Sequence, residues 1–597
     1  MRELEHFPNL VAMFFARASQ KGDAPFLWAK RDGSWRPTSW REAADQVCSL
    51  AAGLKAIGLR PGDTIMLVSE NRPEWCIADL AIMTAGCVTV PAYTTNTERD
   101  HQHILDDSGA RAVIVSTQKL ARPLLPAAIR SSNSEHVIGI EPLPGGQSGN
   151  VGFHEWARLI ADHAPDVAAC TRAAASVTRD DLACLIYTSG TGGAPRGVMQ
   201  HHGAILHKGE GCVEVISEDF GVAEEVFLSF LPPSHAYEHS GGQFFPIGIG
   251  AQIYYSEGLE KLASNIEETR PTLMIVVPRL FEVLRQRILK NVEKQGKLAN
   301  YMMKRALEIG ARDYAGAKSL WDVPMDLLLD RLFRPKISAR FGGRVKAMVS
   351  GGAPLNPDVG IFFHSIGLTV LQGYGQTEAA PVISCNRPKA GIKMDTVGPP
   401  LRNTEVRIAE DGEILVRGEL VMKGYWRNPA QTEKVLVGGW LHTGDVGHID
   451  EAGRIVITDR KKDLIVNDKG DNVSPQKVEG MLTLQPEILQ AMVVGDRRPY
   501  LVGLLVADPE WAAEWADANG KPKDPAGLRE DPDYLRALSA AVDRVNGDLS
   551  VIEKVRRFVL ADEPFSTGNE QLTPSIKIRR HVIRAVYGER LDGLFKK

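Results

Sequence analysis

A chain of 597 residues is too long for one hydrophobic core, so several structural units are expected. Its 44% hydrophobic and 24% charged residues are an ordinary balance for a soluble globular protein. With 70 Lys and Arg against 74 Asp and Glu the net charge is −4, which argues against general binding to nucleic acid or to a membrane surface.

At the N-terminus, "MRELEHFPNLVAMFFARASQ" carries Glu3 and Glu5, and its apolar run, Leu10 to Phe15, is too short for a signal-peptide core. "SWREAADQVCSLAAGLKAIGL" repeats apolar residues at helical spacing and ends at Gly58. "DTIMLVSEN" and "ARAVIVST" read as short strands bounded by turn residues. "LAIMTAGCVTVPAY" (Leu80–Tyr93) is the most apolar stretch, but Gly86 and Pro91 make it a buried helix followed by a strand. No run approaches the roughly 18 apolar residues of a spanning helix. Helix–strand alternation of this kind predicts an α/β architecture with largely parallel sheets. "EPLPGGQSGN" (Glu141–Asn150) reads as an exposed loop.

From Pro278 to Phe341 the pattern is mainly helical, with Leu280, Leu284 and Ile288 on one face. After Ile408, "EILVRGELVMKGYW" and "GRIVITDRKKDLIVNDKG" alternate as strands do. The charge run "DRKKD", Asp459–Asp463, is the expected domain boundary, with a small α+β domain beyond it. The seven cysteines form no CxxC pair, and an odd number closes no disulfide set; reduced thiols and a cytoplasmic location are expected.

The stretch that bears most on chemistry is "YTSGTGGAPRGV", Tyr187–Val198, behind the apolar run "LACLI". A Walker loop needs Lys after its last glycine, and Val198 stands there. A dinucleotide fingerprint needs a third glycine where Pro195 stands. The loop still suits phosphate. Small residues let backbone N–H groups approach an anion, hydroxyls donate, and Arg196 supplies charge.

"YTSGTGGAPRGV" resembles the signature loop of the adenylate-forming superfamily, and further stretches resemble that family's motifs in the right order. They are "LPPSHAYEHSGG" (Leu231–Gly242), "SGGAPL" (Ser350–Leu355), "GYGQTE" (Gly373–Glu378), "LHTGDVG" (Leu441–Gly447), "DRKKD" and "LTPSIKIRR" (Leu572–Arg580). The helical insert and "ENRPEW" (Glu70–Trp75) are most similar to the long-chain fatty acyl-CoA synthetase branch.

The resemblance implies a large N-terminal domain of stacked α/β subdomains (1–458), a hinge (459–463) and a small mobile α+β lid domain (464–597). It implies ATP, Mg²⁺ and coenzyme A, and a fatty acid converted to an acyl-adenylate and then an acyl-CoA. Lys577 would bridge carboxylate and α-phosphate. Thr188, Ser189, Gly190, Thr191, Gly192, Gly193 and Arg196 would hold the phosphates. Gly351, Gly352, Ala353, Gly373, Tyr374, Gly375, Gln376 and Thr377 would line the nucleotide, with Tyr374 stacked on adenine. Asp445 and Arg460 would take the ribose, Glu378 and Thr191 the Mg²⁺, and His235 would shape the carboxylate pocket. Lys462 would be the pivot, and Gly470 would approach the pantetheine arm. Three positions depart from the family pattern: Gly192 for threonine, Arg196 for lysine and Ile576 for glycine.

The residues themselves leave other readings open. Arg579 and Arg580 read as solvated or phosphate-steering, and His201 and His202 as surface residues at a helix start. His235 and His239 stand four apart, but prolines precede them and no third metal ligand is evident. The acceptor could be a carrier-protein thiol, the acid aromatic or steroidal, and the altered loop could mark a non-catalytic nucleotide sensor. No integral membrane segment is expected, peripheral contact is compatible, and oligomeric state is not readable.

Overall fold

The computed structural model describes residues 4–143, 151–188, 194–573 and 577–596. Two large sheets dominate. One has seven strands, in the order Gly152–Glu155, His136–Gly139, Ala112–Val115, Thr64–Val68, Val88–Pro91, Leu182–Thr188 and Arg196–His201. All neighbours are parallel except the last pair, a hairpin. The other has eight strands, Ser384–Cys385, Val370–Tyr374, Ala347–Ser350, Leu273–Val276, Val226–Ser229, Gln252–Tyr255, Pro25–Arg31 and Ser34–Ser39, parallel except at its two edges.

One layer of helices lies between the sheets. Leu10–Lys21, Trp40–Ala56, Pro73–Thr84 and His202–Asp219 share a single core with strand residues of both, such as Ile65 and Ile186 on one side and Phe227 and Ile253 on the other. A helix covered from both sides has no use for a polar face. Pro73–Thr84 is accordingly buried at every position but Glu74, which accounts for the unbroken apolar stretch in the sequence. Trp40–Ala56 starts at a Ser39/Glu42 capping box. The helical region after Pro278 forms Pro278–Lys294, Lys297–Tyr314, Val323–Leu332 and Arg334–Arg340 on the outer face of the eight-stranded sheet, with Leu280, Leu284 and Ile288 turned to that core.

A five-stranded sheet follows, built from Glu405–Ile408, Glu413–Arg417, Leu436–Val437, Trp440–Ile449 and Ile455–Arg460. Beyond Asp463 come the short hairpin Ile465–Val466/Asn472–Val473 and a three-stranded sheet, Ile488–Val494, Leu501–Ala507 and Val555–Leu560, with its helices. Two cores in this part draw every buried member from residues 465–591. The fold class read from the sequence, a large α/β part followed by a smaller α+β part, is the one observed.

Candidate active site

Parallel winding gathers the motifs. Strands Val226–Ser229, Ala347–Ser350 and Val370–Tyr374 run the same way within one sheet. Residues just past their carboxyl ends, His235, Gly351 and Gly375, therefore collect at one rim, where open α/β sheets bind ligands.

The glycine loop joins the hairpin Leu182–Thr188/Arg196–His201, and Thr188 pairs with Arg196 across its mouth. Ser189, Gly190, Thr191, Gly192 and Gly193 lie outside the described residues, as does Ile576. The edge strand is stitched to Lys423–Trp426: Trp426 N–H donates to Gly197 O (2.7 Å) and Met199 N–H to Gly424 O (3.0 Å). The Arg196 guanidinium lies 4.2 Å over the Tyr425 ring. The Tyr425 hydroxyl in turn donates to Glu378 Oε1 at 2.8 Å. The arginine that departs from the family pattern thus has a planar partner that a lysine ammonium would engage less well. Tyr425 was not singled out from the sequence, because "KGYW" reads as ordinary strand alternation; only the junction of three chain segments places it.

Glu378 sits in a single 3₁₀ turn, Thr377–Ala379, too short for a helix dipole to stabilise its charge. Thr377 O accepts from Gln200 Nε2 (2.8 Å). Gln376 Nε2 is buried with no partner among the described residues, a donor left for a ligand. Gly375 admits no side chain, since a Cβ would stand 1.6 Å from Pro381 O. Gly351 is similarly tight against the Tyr237 ring (2.7 Å), Gly352 takes a left-handed φ of +82°, and Gly352 and Ala353 are exposed. Gly373 pairs with Cys385 in the sheet.

Asp445, on strand Trp440–Ile449, is buried. Its Oδ2 accepts from the Tyr374 hydroxyl at 2.7 Å, and Arg460 Nε lies 3.3 Å from its Oδ1. Burial raises its pKa, opposed by Arg460, Tyr374 and Lys577. The Tyr374 ring packs in a core with Val198, Ile383 and Val416, and its hydroxyl holds Asp445 in place. Burial pulls the Arg460 pKa down, but Asp445, Asp463 and Glu378 outweigh it and raise the net value.

Lys577 lies on a tight turn in which Leu572 pairs with Ile578 and Lys577 N–H donates to Thr573 Oγ1 at 3.0 Å. The side chain keeps access to solvent along the cleft, yet protein crowds its ammonium. That crowding and Arg460 push its pKa down to about 8, while Asp445 and Glu378 pull upward. Burial and then Lys577 lower the His235 pKa to about 4, so the imidazole is neutral near pH 7. His235 Nδ1 accepts from Tyr237 N–H at 3.2 Å, which puts the proton on Nε2 and makes that nitrogen a donor. Lys577, His235, Glu378, Asp445 and Arg460 therefore share one electrostatic neighbourhood, although the chain separates them widely.

Other expectations fare differently. Gly470 stands on the exposed turn between Ile465–Val466 and Asn472–Val473, with φ +89° and open space where a Cβ would be. Arg580 steers no phosphate, because it makes a two-pronged ion pair with Glu479 (2.8 and 2.6 Å). His201 and His202 are not surface residues. They are 7% and 2% exposed, since the helix they open lies between the two sheets. His239 pairs with Asp79 at 2.9 Å in the core, both wholly buried, so it is no metal ligand partner for His235.

Family models for the AMP-binding enzyme and the AMP-binding enzyme C-terminal domain match residues 14–426 and 462–597. The chain is 32% identical to the long-chain-fatty-acid–CoA ligase FadD15 of Mycobacterium bovis, over 99% of this chain and 97% of that protein. It is 29% identical to long-chain-fatty-acid–CoA ligase 6 of Homo sapiens, over 98% and 86%. In fold it is similar to the adenylation domain of a carboxylate reductase from Mycobacterium chelonae (TM-score 0.77, 22% identity, 99% and 92% covered). It is also similar to the anthranilate CoA ligase AuaEII (TM-score 0.73, 20% identity, 98% of both chains covered). The order of the motifs, their convergence on one rim and these matches place the chain in the AMP-binding enzyme family, the adenylate-forming superfamily, in its long-chain acyl-CoA synthetase branch.

Proposed function

We propose that this protein is an AMP-forming acid:CoA ligase acting on a long-chain carboxylic acid. The observation that carries the reading is the lysine turn of the C-terminal part reaching His235, Glu378, Asp445 and Arg460 of the N-terminal part.

The acid's carboxylate oxygen attacks the α-phosphorus of ATP. The acyl–O–P bond forms, the bond to the β-phosphate oxygen breaks, and pyrophosphate leaves. The thiolate of coenzyme A then attacks the acyl carbonyl carbon and AMP departs. The first step brings two anions together, so preorganised positive charge is its main need. Lys577 answers it, protonated below about pH 8. Neutral His235, with its proton on Nε2, donates to the carboxylate without adding charge. Asp445, an acceptor-only group, takes the ribose hydroxyls beside Arg460. Glu378 has one oxygen engaged by Tyr425, and its other suits a hard cation. No group of three or more His, Cys, Asp or Glu among the described residues could hold a metal alone, which fits Mg²⁺ carried largely by phosphate oxygens and water. When bound, Mg²⁺ would neutralise phosphate charge.

The second step needs the lysine withdrawn and the thiol admitted. The separate cores beyond residue 464 support rotation of that part as a body about 459–463. Lys462 lies exposed in the turn after strand Ile455–Arg460. Lys462→Pro is expected to spare ATP binding and to slow thioester formation at least about tenfold more than pyrophosphate release. Equal slowing of both half-reactions, measured separately, would remove the pivot.

No helix among the described residues is long and apolar enough to cross a membrane. Peripheral contact is supported by Leu320 and Trp321, which are 88% and 91% exposed, with Leu327 and Leu332 on the helix that follows. Arg331 and Lys336, without ion-pair partners among the described residues, would face anionic headgroups. Co-sedimentation with phosphatidylglycerol vesicles is expected, and its persistence in an L320S/W321S variant would count against this surface.

Pyrophosphate release across a panel of carboxylic acids, with and without coenzyme A, tests the whole reading. Silence with every acid would overturn it, and acyl-AMP without thioester would point to a different acceptor.

A further inference from the structure

One buried charged side chain, packed against the segment that follows His235, has no part in this chemistry. Lys208, on helix His202–Asp219, is 2% exposed, and its ammonium has no hydrogen-bond partner among the described residues. The segment following His235 surrounds it. The Phe245 ring centroid is 5.8 Å from Nζ, and a Cβ built on Gly241 would lie 3.8 Å from it. Gly241 belongs to the π-helical turn His239–Phe244, a geometry that recurs at functional sites because it re-aims side chains and opens space in a helix. Tyr237, between His235 and this turn, packs its ring against Gly351, so one short stretch of chain carries both His235 and the residues that lie against Lys208.

The natural counter-ion does not neutralise the site. Glu238 is the acidic neighbour that acts on Lys208, but its Oε1 accepts from Ser229 Oγ at 2.6 Å, and burial pushes its pKa up to about 8. Burial lowers that of Lys208 to about 8, opposed by Cys212 and Glu238. Glu238 makes no ion pair with Lys208 among the described residues, so the ammonium has no protein partner there. A buried ammonium without a partner is strongly destabilising, and its presence calls for an oxygen that completes it.

We infer that Lys208 binds an acceptor oxygen carried on the acyl chain, remote from the carboxyl that is activated, and that the preferred acids are oxygenated (oxo, hydroxy or dicarboxylic) rather than plain alkanoic acids. The inference rests on the acid-activating reading above. A plain chain would leave the ammonium buried and unpaired, and sites built to bond a substrate oxygen reject analogues that lack it far more strongly than apolar pockets sort methylenes.

The test is acid-dependent pyrophosphate release by the full-length protein with matched alkanoic, oxo, hydroxy and dicarboxylic acids, for the wild type and for K208M, which keeps volume and removes charge. The wild type is expected to favour at least one oxygenated series by about 10- to 100-fold in kcat/KM, the size of one charge-assisted hydrogen bond. Which series wins identifies the oxygen. K208M is expected to lose that preference, with lower kcat/KM for the oxygenated acids and higher for the plain ones. Its Tm is expected to rise, since an unpaired buried charge is gone. A wild type that prefers plain acids, a K208M that slows both series equally, or a K208M with a lower Tm would overturn the inference while leaving the ligase reading standing. No pyrophosphate from any acid would sink the ligase reading, and the inference with it.

Discussion

Lys577→Met is expected to slow acyl-adenylate formation by about 10²- to 10³-fold, the usual loss when one preorganised charge-stabilising donor is removed. Thioester formation from preformed acyl-adenylate is expected to change far less, because that step brings no second anion to the α-phosphate. Pyrophosphate release and acyl-AMP consumption, measured separately, check the contrast, and equal losses in both would show that Lys577 serves the fold or the second step. The pH dependence has a definite sign. The ammonium is the active form, and crowding together with Arg460 brings its pKa down to about 8. In the free enzyme, kcat/KM for adenylation should therefore fall as pH rises through about 8. Once ATP is bound, phosphate charge favours the ammonium, so kcat should fall at higher pH than kcat/KM. The descending limb near pH 8 should be absent in the methionine variant.

Asp445→Asn is expected to raise the KM for ATP and to lower kcat/KM by about 10- to 100-fold, the worth of hydrogen bonds to a charged acceptor. The amide keeps the shape but presents a donor where the Tyr374 hydroxyl and Arg460 already donate. A second readout separates this role from a purely structural one. Asp445 pulls the Lys577 pKa upward. Its neutralisation should therefore move the descending limb of kcat/KM to lower pH. An unshifted limb would mean that the two side chains are not coupled. The substitution also removes the charge partner of Arg460 and should cost some stability, so the kinetics are compared well below the variant's unfolding temperature. Thermal unfolding of the variant checks the point.

Much of this site was legible in the chain because its chemistry demands particular residue types at short spacings. In the proposed chemistry a glycine loop, a Thr-Glu pair and a Thr-Gly-Asp triplet would each work through contiguous backbone and side chains, so each survives as a readable word. Tyr425 and Lys208 were not legible for the opposite reason. Tyr425 meets Arg196 only because the edge strand Arg196–His201 is stitched to the segment that carries it. Lys208 looks like any polar residue on a helix until both sheets close over it. The same closure corrects the histidines. A helix start usually faces water, but His201 and His202 open a helix packed between two sheets. Arg580 was misread for want of Glu479, a partner contributed by another element of the C-terminal part.

From the amino-acid order alone follow the α/β class, the smaller α+β part beyond the charge run, and the superfamily to which the chain belongs. These depend on periodicity and on local motifs, which are written in neighbouring residues. Tertiary structure alone decided that Tyr374 positions Asp445 through its hydroxyl, that His235 carries its proton on Nε2, and that the Lys577 pKa is lowered. Each of these depends on which groups lie within a few ångströms and how much water is excluded, and both are set by packing among residues distant in the chain.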